Sequence, residues 1–305
     1  MAHTVDIDEA AEARSERGPA GRRWKFPVAA FFVALLAFVG VVVMLYPAGS
    51  AWYSQYQQSR LIVSVEQGFV QEEPTALEAE LARAQDYNEA LTGGALVASG
   101  ANVPTAGGTT DPRFEYSSLL RANDDGVMGR LRIGAIDLDL PIYHGTSDAT
   151  LAVGVGHLEG TALPIGGVST HSVLTAHRGL PSAELFTKLD QVTVGDTFTI
   201  EVFGEVLVYR VAETRVVQPE ENETLNPQYG RDLVTLVTCT PLGINSHRIL
   251  VTGERVTPTP IEEVQRAGAA PEIPGFPWWA IGLGATALLL GAGVWRAGTV
   301  RPQDP

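Results

Sequence analysis

Two long uncharged stretches, one near each end of the chain, constrain everything between them. Residues 26–46 form 21 consecutive positions without a charged side chain, and residues 273–295 form 23 more. A helix rises ~1.5 Å per residue, so each stretch is long enough to cross a hydrocarbon layer ~30 Å thick. Trp278, Trp279 and Trp295 sit at the edges of the second stretch, where amphipathic rings favour the membrane–water boundary. Pro274, Pro277 and several glycines weaken that stretch as a helix, but both residue types are tolerated in membrane helices.

The flanking charges predict an orientation. Arg14, Arg17, Arg22, Arg23 and Lys25 precede the first stretch, with Glu16 the only acid among them. Arg296 and Arg301 follow the second, against Asp304. Basic flanks favour the cytoplasmic side, which places both termini in the cytoplasm and residues 47–272 outside. A cleaved signal peptide is the other reading of the first stretch, and Ala48-Gly49-Ser50-Ala51 faintly resembles a cleavage site. The apolar run exceeds the ~7–15 residues of a signal core, which favours an uncleaved anchor.

Of the 305 residues, 45% are hydrophobic, which excludes wholesale disorder. The formal net charge is −14, and 14 basic residues face 29 acidic ones in the outer portion alone. A nucleic-acid binder needs a basic footprint, so that class is excluded. The single cysteine, Cys239, rules out an intramolecular disulfide framework and any Cys-rich zinc or iron–sulfur site. In an oxidising space a lone thiol is inert, intermolecular or chemically employed.

Segment texture predicts the domain layout. Residues 1–25 read as a cytoplasmic tail with a disordered start, 26–46 as a transmembrane helix, and 47–127 as a helical region followed by a linker. Within the latter, Pro74 suits a first helical turn, and Leu77, Leu81, Ala84 and Leu91 follow helical spacing over 72–91. Gly93-Gly94 ends that helix, and residues 94–110 are rich in Gly, Ala and Thr. Residues 128–256 change to short β-branched runs separated by turns. Strands are expected at 131–136, 172–176, 197–203, 206–212, 233–238 and 248–251, with a short helix at 183–189. Six or more strands in that span point to a mainly β, closed or nearly closed barrel rather than a doubly wound α/β fold. Residues 257–272, with three prolines, read as a tether, 273–295 as the second transmembrane helix and 296–305 as a cytoplasmic tail.

Three reactive side chains fall at strand ends. Cys239 ends the run Leu233-Val234-Thr235-Leu236-Val237-Thr238, and Thr240-Pro241 then forces the chain out of the sheet. Arg248 opens the next strand, so antiparallel pairing would bring thiol and guanidinium together. His177 follows the strand 172–176, and Gly179 turns the chain directly after it. A thiol needs a base or cationic neighbour to become a thiolate, and imidazole supplies either function. A tetrahedral intermediate needs a positive partner for its oxyanion, and arginine keeps its charge for that task. Cys, His and Arg at the mouth of a barrel therefore make an acyl-transfer set. Each also has a plainer reading: Cys239 as a small buried hydrophobe, His177 as a hydrogen-bonding histidine, Arg248 as a strand-end charge. The spacing His171-x5-His177 matches no common zinc pattern.

The motifs resemble those of a known family. Thr235-Leu236-Val237-Thr238-Cys239 followed by Arg248 resembles the active-site signature of the sortases, and Leu174-Thr175-Ala176-His177-Arg178-Gly179 resembles their histidine motif. Met128-Gly129, Leu140-Pro141-Ile142-Tyr143-His144-Gly145 and Gly154-Val155-Gly156-His157-Leu158-Glu159-Gly160-Thr161 are similar to the class C, pilin-polymerising sortases of Gram-positive bacteria.

The resemblance implies an eight-stranded sortase-type β-barrel with short helices, flanked by two transmembrane helices, and a cysteine transpeptidase that needs no cofactor or metal. It implies Cys239 as nucleophile, His177 as general acid and base, and Arg248 as the group that orients substrate and stabilises the oxyanion. Thr238, Leu242 and Ser246 fall at substrate-binding positions, where the class usually carries Tyr and Thr in place of Leu242 and Ser246. Asp111, Pro112 and Phe114 fall on a lid, with Arg113 interrupting the usual Asp-Pro-aromatic order. The implied substrate is a secreted pilin with a Leu-Pro-x-Thr-Gly-like signal, cleaved between Thr and Gly and joined to a lysine of the next pilin. The alternatives are a sortase that attaches surface proteins to the cell wall and a non-enzymatic, membrane-tethered surface protein with a structural Cys239.

Overall fold

The computed structural model describes residues 23–91, 95–96, 105–106, 113–219, 221, 223–271 and 274–300. The tails at 1–22 and 301–305 and most of the expected 94–110 linker lie outside the described residues. The chain divides into two compact units, residues 1–49 with 277–305 and residues 50–276.

The first unit holds the start of α1 and the second apolar helix. Helix α1 starts at Val28, directly after Pro27, and runs through Gln71 as Val28–Gln71, well past the 46 expected as its end. Pro47 lies inside it, and the next sequence stop is Pro74, so the polar Ser/Gln-rich stretch after 50 continues the same helix. The helix Trp278–Gly298 begins later than the expected 273, because Pro274 and Pro277 lack the N–H that helix propagation needs. Both helices are long and apolar enough to cross a membrane. The Trp24 indole stacks on Trp295 at 5.7 Å and donates Nε1–H to the Trp295 carbonyl at 3.2 Å.

In the second unit, α2 (Pro74–Ala90) has Pro74 in its first turn and buries Ala84 and Tyr87, within the expected helix. Eight strands follow: β1 (Val127–Ile133), β2 (Leu138–His144), β3 (Val155–His157), β4 (Thr170–Thr175), β5 (Thr197–Val202), β6 (Glu205–Val217), β7 (Asp232–Thr240) and β8 (His247–Arg255). They close into a barrel in the order β7-β8-β6-β5-β1-β2-β3-β4. The pairs β4–β7 and β2–β3 are parallel and the others antiparallel. Closure removes the open edges that a flat sheet would leave.

The first strand differs from the expected 131–136. It starts at Val127, and residues 134–136 leave the sheet in a 3-10 turn that ends on Asp137 in the left-handed region at φ 51°. Strands β2 and β3 had no counterpart in the sequence-based expectation. Strand β2 contains Pro141, which argues against a central strand, and β3 has only three residues. The helix expected at 183–189 is a kinked 3-10 segment, Leu185–Gln191.

Side chains alternate across each strand, so the barrel has two distinct faces. Leu131, Ile133, Leu140, Ile142, Val155, Leu174, Ile200, Leu207, Val234, Leu236 and Val251 belong to one buried cluster that fills the interior. A second cluster of Leu158, Val173, Val217, Leu225, Val237 and Leu250 lies on the opposite face of β4, β6, β7 and β8.

A buried ionic cluster joins the barrel to its neighbours in sequence. Arg130 Nε and Nη2 donate to Asp139 at 2.7 and 2.6 Å, and Nη1 donates to Glu66 of α1 and to the Ala269 carbonyl. Arg132 pairs with Glu201 at 2.7 Å, and the Gly268 amide donates to Glu201 at 3.1 Å. The expected tether thus carries a short helix, Ile261–Gln265, and is held to the barrel by its own backbone.

Candidate active site

Cys239 stands directly opposite Arg248 in the antiparallel β7–β8 ladder. The β-branched run before Cys239 forms the buried body of β7, and Pro241 takes the chain out of the sheet after Thr240. On the other side, β4 runs parallel to β7, with Thr175 opposite Val237. His177 and Cys239 each lie two residues past this last pair. The extension is held by hydrogen bonds: the Ala176 amide donates to the Val237 carbonyl at 3.3 Å, and Thr238 Oγ1 donates to the Ala176 carbonyl at 2.8 Å. The antiparallel strand therefore carries Arg248 opposite the thiol, and the parallel strand leads into the segment that carries His177.

Alternation decides which face carries them. Val234 and Leu236 point into the barrel, while Val237 points to the outer cluster. Cys239, two residues on from Val237, shares that outer face, and so do its pairing partners. The expected barrel-mouth location is thereby corrected: the residues stand at strand ends, but over the second apolar cluster rather than at the opening of the interior.

The thiol is half-buried. Burial pushes the Cys239 thiol above its ordinary value, and the Arg248 charge pulls it back only in part. A thiol so placed needs an acceptor for its proton to attack. Arg248 is only 4% exposed, and its Nη1 donates to the Asn245 and His247 carbonyls at 2.8 and 3.0 Å. A charge so fixed is oriented before substrate arrives.

The loop after His177 is tied on several sides. The Phe186 amide donates to the His177 carbonyl at 3.0 Å, and the Gly179 amide donates to Thr187 Oγ1 at 3.0 Å. Gly179 has φ +74°, and a Cβ there would come within 2.5 Å of Leu242 Cδ2. Glycine thus lets Leu242, 51% exposed on the β7–β8 loop, pack against the histidine loop.

The other expected site residues have diverse surroundings. Thr238 is buried, with its hydroxyl committed to the Ala176 carbonyl. Ser246 is exposed and shares a 2.9 Å hydrogen bond with His247 Nδ1. Asp111 and Pro112 lie outside the described residues. Phe114 packs edge-on against Tyr87 of α2 with ring centroids 5.8 Å apart, and the Arg113 guanidinium lies 5.2 Å from the Phe114 ring centre.

Two other histidines hold the fold. His157 is fully buried: Nε2–H donates to the Ala162 carbonyl at 2.9 Å, which leaves Nδ1 to accept from Tyr116 at 2.9 Å. Desolvation holds its pKa down at about 4, so it stays neutral. His171 is held down by the same cause. Sequence reasoning missed Arg178, which reaches Thr240, Thr187 and Asp190. The available signal was its place between His177 and Gly179.

Comparison with known proteins bears on this arrangement. A family model described as Sortase domain matches residues 131–256. Sortase C of Streptococcus pneumoniae is 38% identical, with a TM-score of 0.58, and the match covers 66% of this chain and 98% of that one. Sortase C-1 of Actinomyces oris is 47% identical, with a TM-score of 0.53, over 59% of this chain and 98% of that one. Among curated proteins, Sortase A of Streptococcus agalactiae is 27% identical over 127 residues, 41% of this chain and 51% of that protein. The chain thus spans about half the length of that curated relative. With a closed eight-stranded barrel and class C sortases among its structural neighbours, this chain belongs to the sortase family of cysteine transpeptidases.

Proposed function

We propose that this chain polymerises pilin subunits by transpeptidation at Cys239. The observation that carries the reading is the register that pairs Cys239 with Arg248, with His177 two residues past the last β4–β7 pair, Thr175–Val237. It is supported by the likeness to a sortase C whose crystal structure concerns pilin substrate specificity.

In this reading His177 accepts the Cys239 proton as the sulfur attacks the threonine carbonyl of a Leu-Pro-x-Thr-Gly-like signal. The C–N bond to glycine breaks, and His177 returns the proton to the leaving glycine amine. Arg248 stabilises the oxyanion and orients the peptide. The pilin is then held as a thioester on Cys239. A lysine amine of the next pilin attacks that thioester, the C–S bond breaks, and an isopeptide bond forms while the sulfur regains a proton. Leu242 and Ser246 on the β7–β8 loop, with Thr238 beneath, contribute to substrate selection. Asp111, Pro112 and Phe114 belong to a lid that the peptide displaces.

The basic flanks of the two apolar helices place both termini in the cytoplasm and the barrel outside, where secreted pilins and the bilayer are the partners. The deciding experiment incubates the enzyme with a purified pilin and its lysine-to-arginine variants. Covalent ladders that disappear with one lysine support polymerisation. Exclusive transfer to cell-wall peptide amines would instead establish the wall-anchoring activity of other sortases.

A further inference from the structure

Arg178 lies outside the set described above, yet its side chain joins both halves of the site. It immediately follows His177, and its Nη1 donates at 3.0 Å to Oγ1 of Thr240, which immediately follows Cys239. Its Nε donates to the Thr187 carbonyl at 3.1 Å, and its Nη2 pairs with Asp190 at 2.6 Å. The side chain is 9% exposed, so this fork is shielded from competing water on most sides. Three acceptors from two chain segments fix a planar guanidinium in one orientation, which a lysine ammonium on its flexible stem cannot reproduce.

The geometry points to Arg178 as a positioning residue that sets the separation of the His177 imidazole and the Cys239 sulfur, an inference that rests on the transpeptidase reading of these two residues. Regular pairing between β4 and β7 ends at Thr175 and Val237, so the backbone ladder no longer fixes His177. Beyond that point the Ala176 contacts, the packing of Leu242 on Gly179 and the Arg178–Thr240 bond link the histidine side to the cysteine side. Asp190 and Thr187 belong to the 3-10 segment Leu185–Gln191, whose Leu185, Phe186 and Leu189 are buried in the interior cluster. Arg178 is thereby referenced to the core as well as to Thr240. Proton transfer between sulfur and imidazole depends steeply on their separation, and a displacement near 1 Å can lower a rate by ~10²-fold.

The test uses the fact that Cys239 is the only thiol of the 305-residue chain. The rate of its alkylation by a small neutral reagent is measured from pH 5 to 9 in wild type, His177→Ala, Arg178→Ala, Arg178→Lys, Thr240→Val and Thr240→Ser. His177→Ala defines the profile of a sulfur without its imidazole. The expected result is that Arg178→Ala and Thr240→Val move to that profile, and Thr240→Ser, which keeps the hydroxyl, retains the wild-type one. Turnover of a sorting-signal peptide should then fall by about 10–100-fold in kcat for Arg178→Ala, with KM within about two-fold. A residue that serves stability alone would lower the melting temperature and leave the alkylation profile unchanged. A wild-type profile in both Arg178→Lys and Thr240→Val, with His177→Ala altered, would overturn the assignment. The transpeptidase reading fails by a different result, peptide transfer that survives Cys239→Ala.

Discussion

Cys239 and Arg248 are cross-strand partners near the end of the β7–β8 ladder, and the Asn245 and His247 carbonyls hold the guanidinium there. Such a pair is already assembled before substrate binds. Arg248→Lys keeps the charge but loses the planar fork that can bind two oxygens. Its kcat should fall ~10²–10³-fold, the loss typical of an oxyanion donor. Steady-state kinetics with a sorting-signal peptide provide the check, and near-normal turnover would show that Arg248 acts only as a remote charge.

The Phe114 ring packs edge-on against Tyr87 of α2, which ties residue 114 to the helical region. If this contact keeps a lid in place, Phe114→Ala and Tyr87→Ala should speed alkylation of Cys239 to a similar extent. Arg113→Ala should do so less, since it leaves the Tyr87–Phe114 contact in place. Unchanged alkylation in both aromatic variants would exclude this contact as what holds the lid.

Much of the site was legible because its determinants are local. A β-branched run ended by Thr240-Pro241 marks where β7 stops, and Arg248 opens the next run, so strand identity and pairing follow from the text. The face was not legible, because it depends on which residues of β7 the whole barrel encloses. Strand β2 escaped notice because Pro141 breaks the usual strand pattern, and β3 because three residues carry no period. The continuation of α1 past residue 46 was hidden by the change from apolar to polar composition, which ends a membrane span without ending a helix. The Arg130 cluster joins residues 66, 130, 139 and 269, and no sequence spacing announces such contacts.

The buried His157 predicts an acid-sensitive fold. An unfolded imidazole titrates near ~6.5, whereas the folded one titrates at about 4. Between those values the unfolded chain holds a proton that the folded chain refuses, so stability falls as pH drops through this window. The loss approaches about 3 kcal/mol once pH is below the folded value. Urea melts at pH 7, 5.5 and 4 should therefore flatten in His157→Gln relative to wild type. Parallel pH curves for the two proteins would contradict the assignment of His157 as a neutral core group.

Arg130 carries a buried cation facing Glu66, Asp139 and Glu201. Arg130→Met leaves three carboxylates gathered without that cation and should destabilise the fold by ~3–5 kcal/mol. A thermal or urea melt reads the loss directly. A change within about 0.5 kcal/mol, the range of ordinary surface substitutions, would show that the cluster is solvated rather than structural.

The central claim is that Cys239 forms an acyl bond to a sorting-signal peptide. Intact-mass spectrometry of the full-length protein after incubation with a Leu-Pro-x-Thr-Gly peptide, quenched in acid, measures this directly. The account predicts an adduct equal to the peptide through threonine less one water, released by hydroxylamine and absent in a folded Cys239→Ala protein. Cleavage of the peptide by Cys239→Ala at the wild-type rate, or an adduct mapped to any other residue, would contradict it.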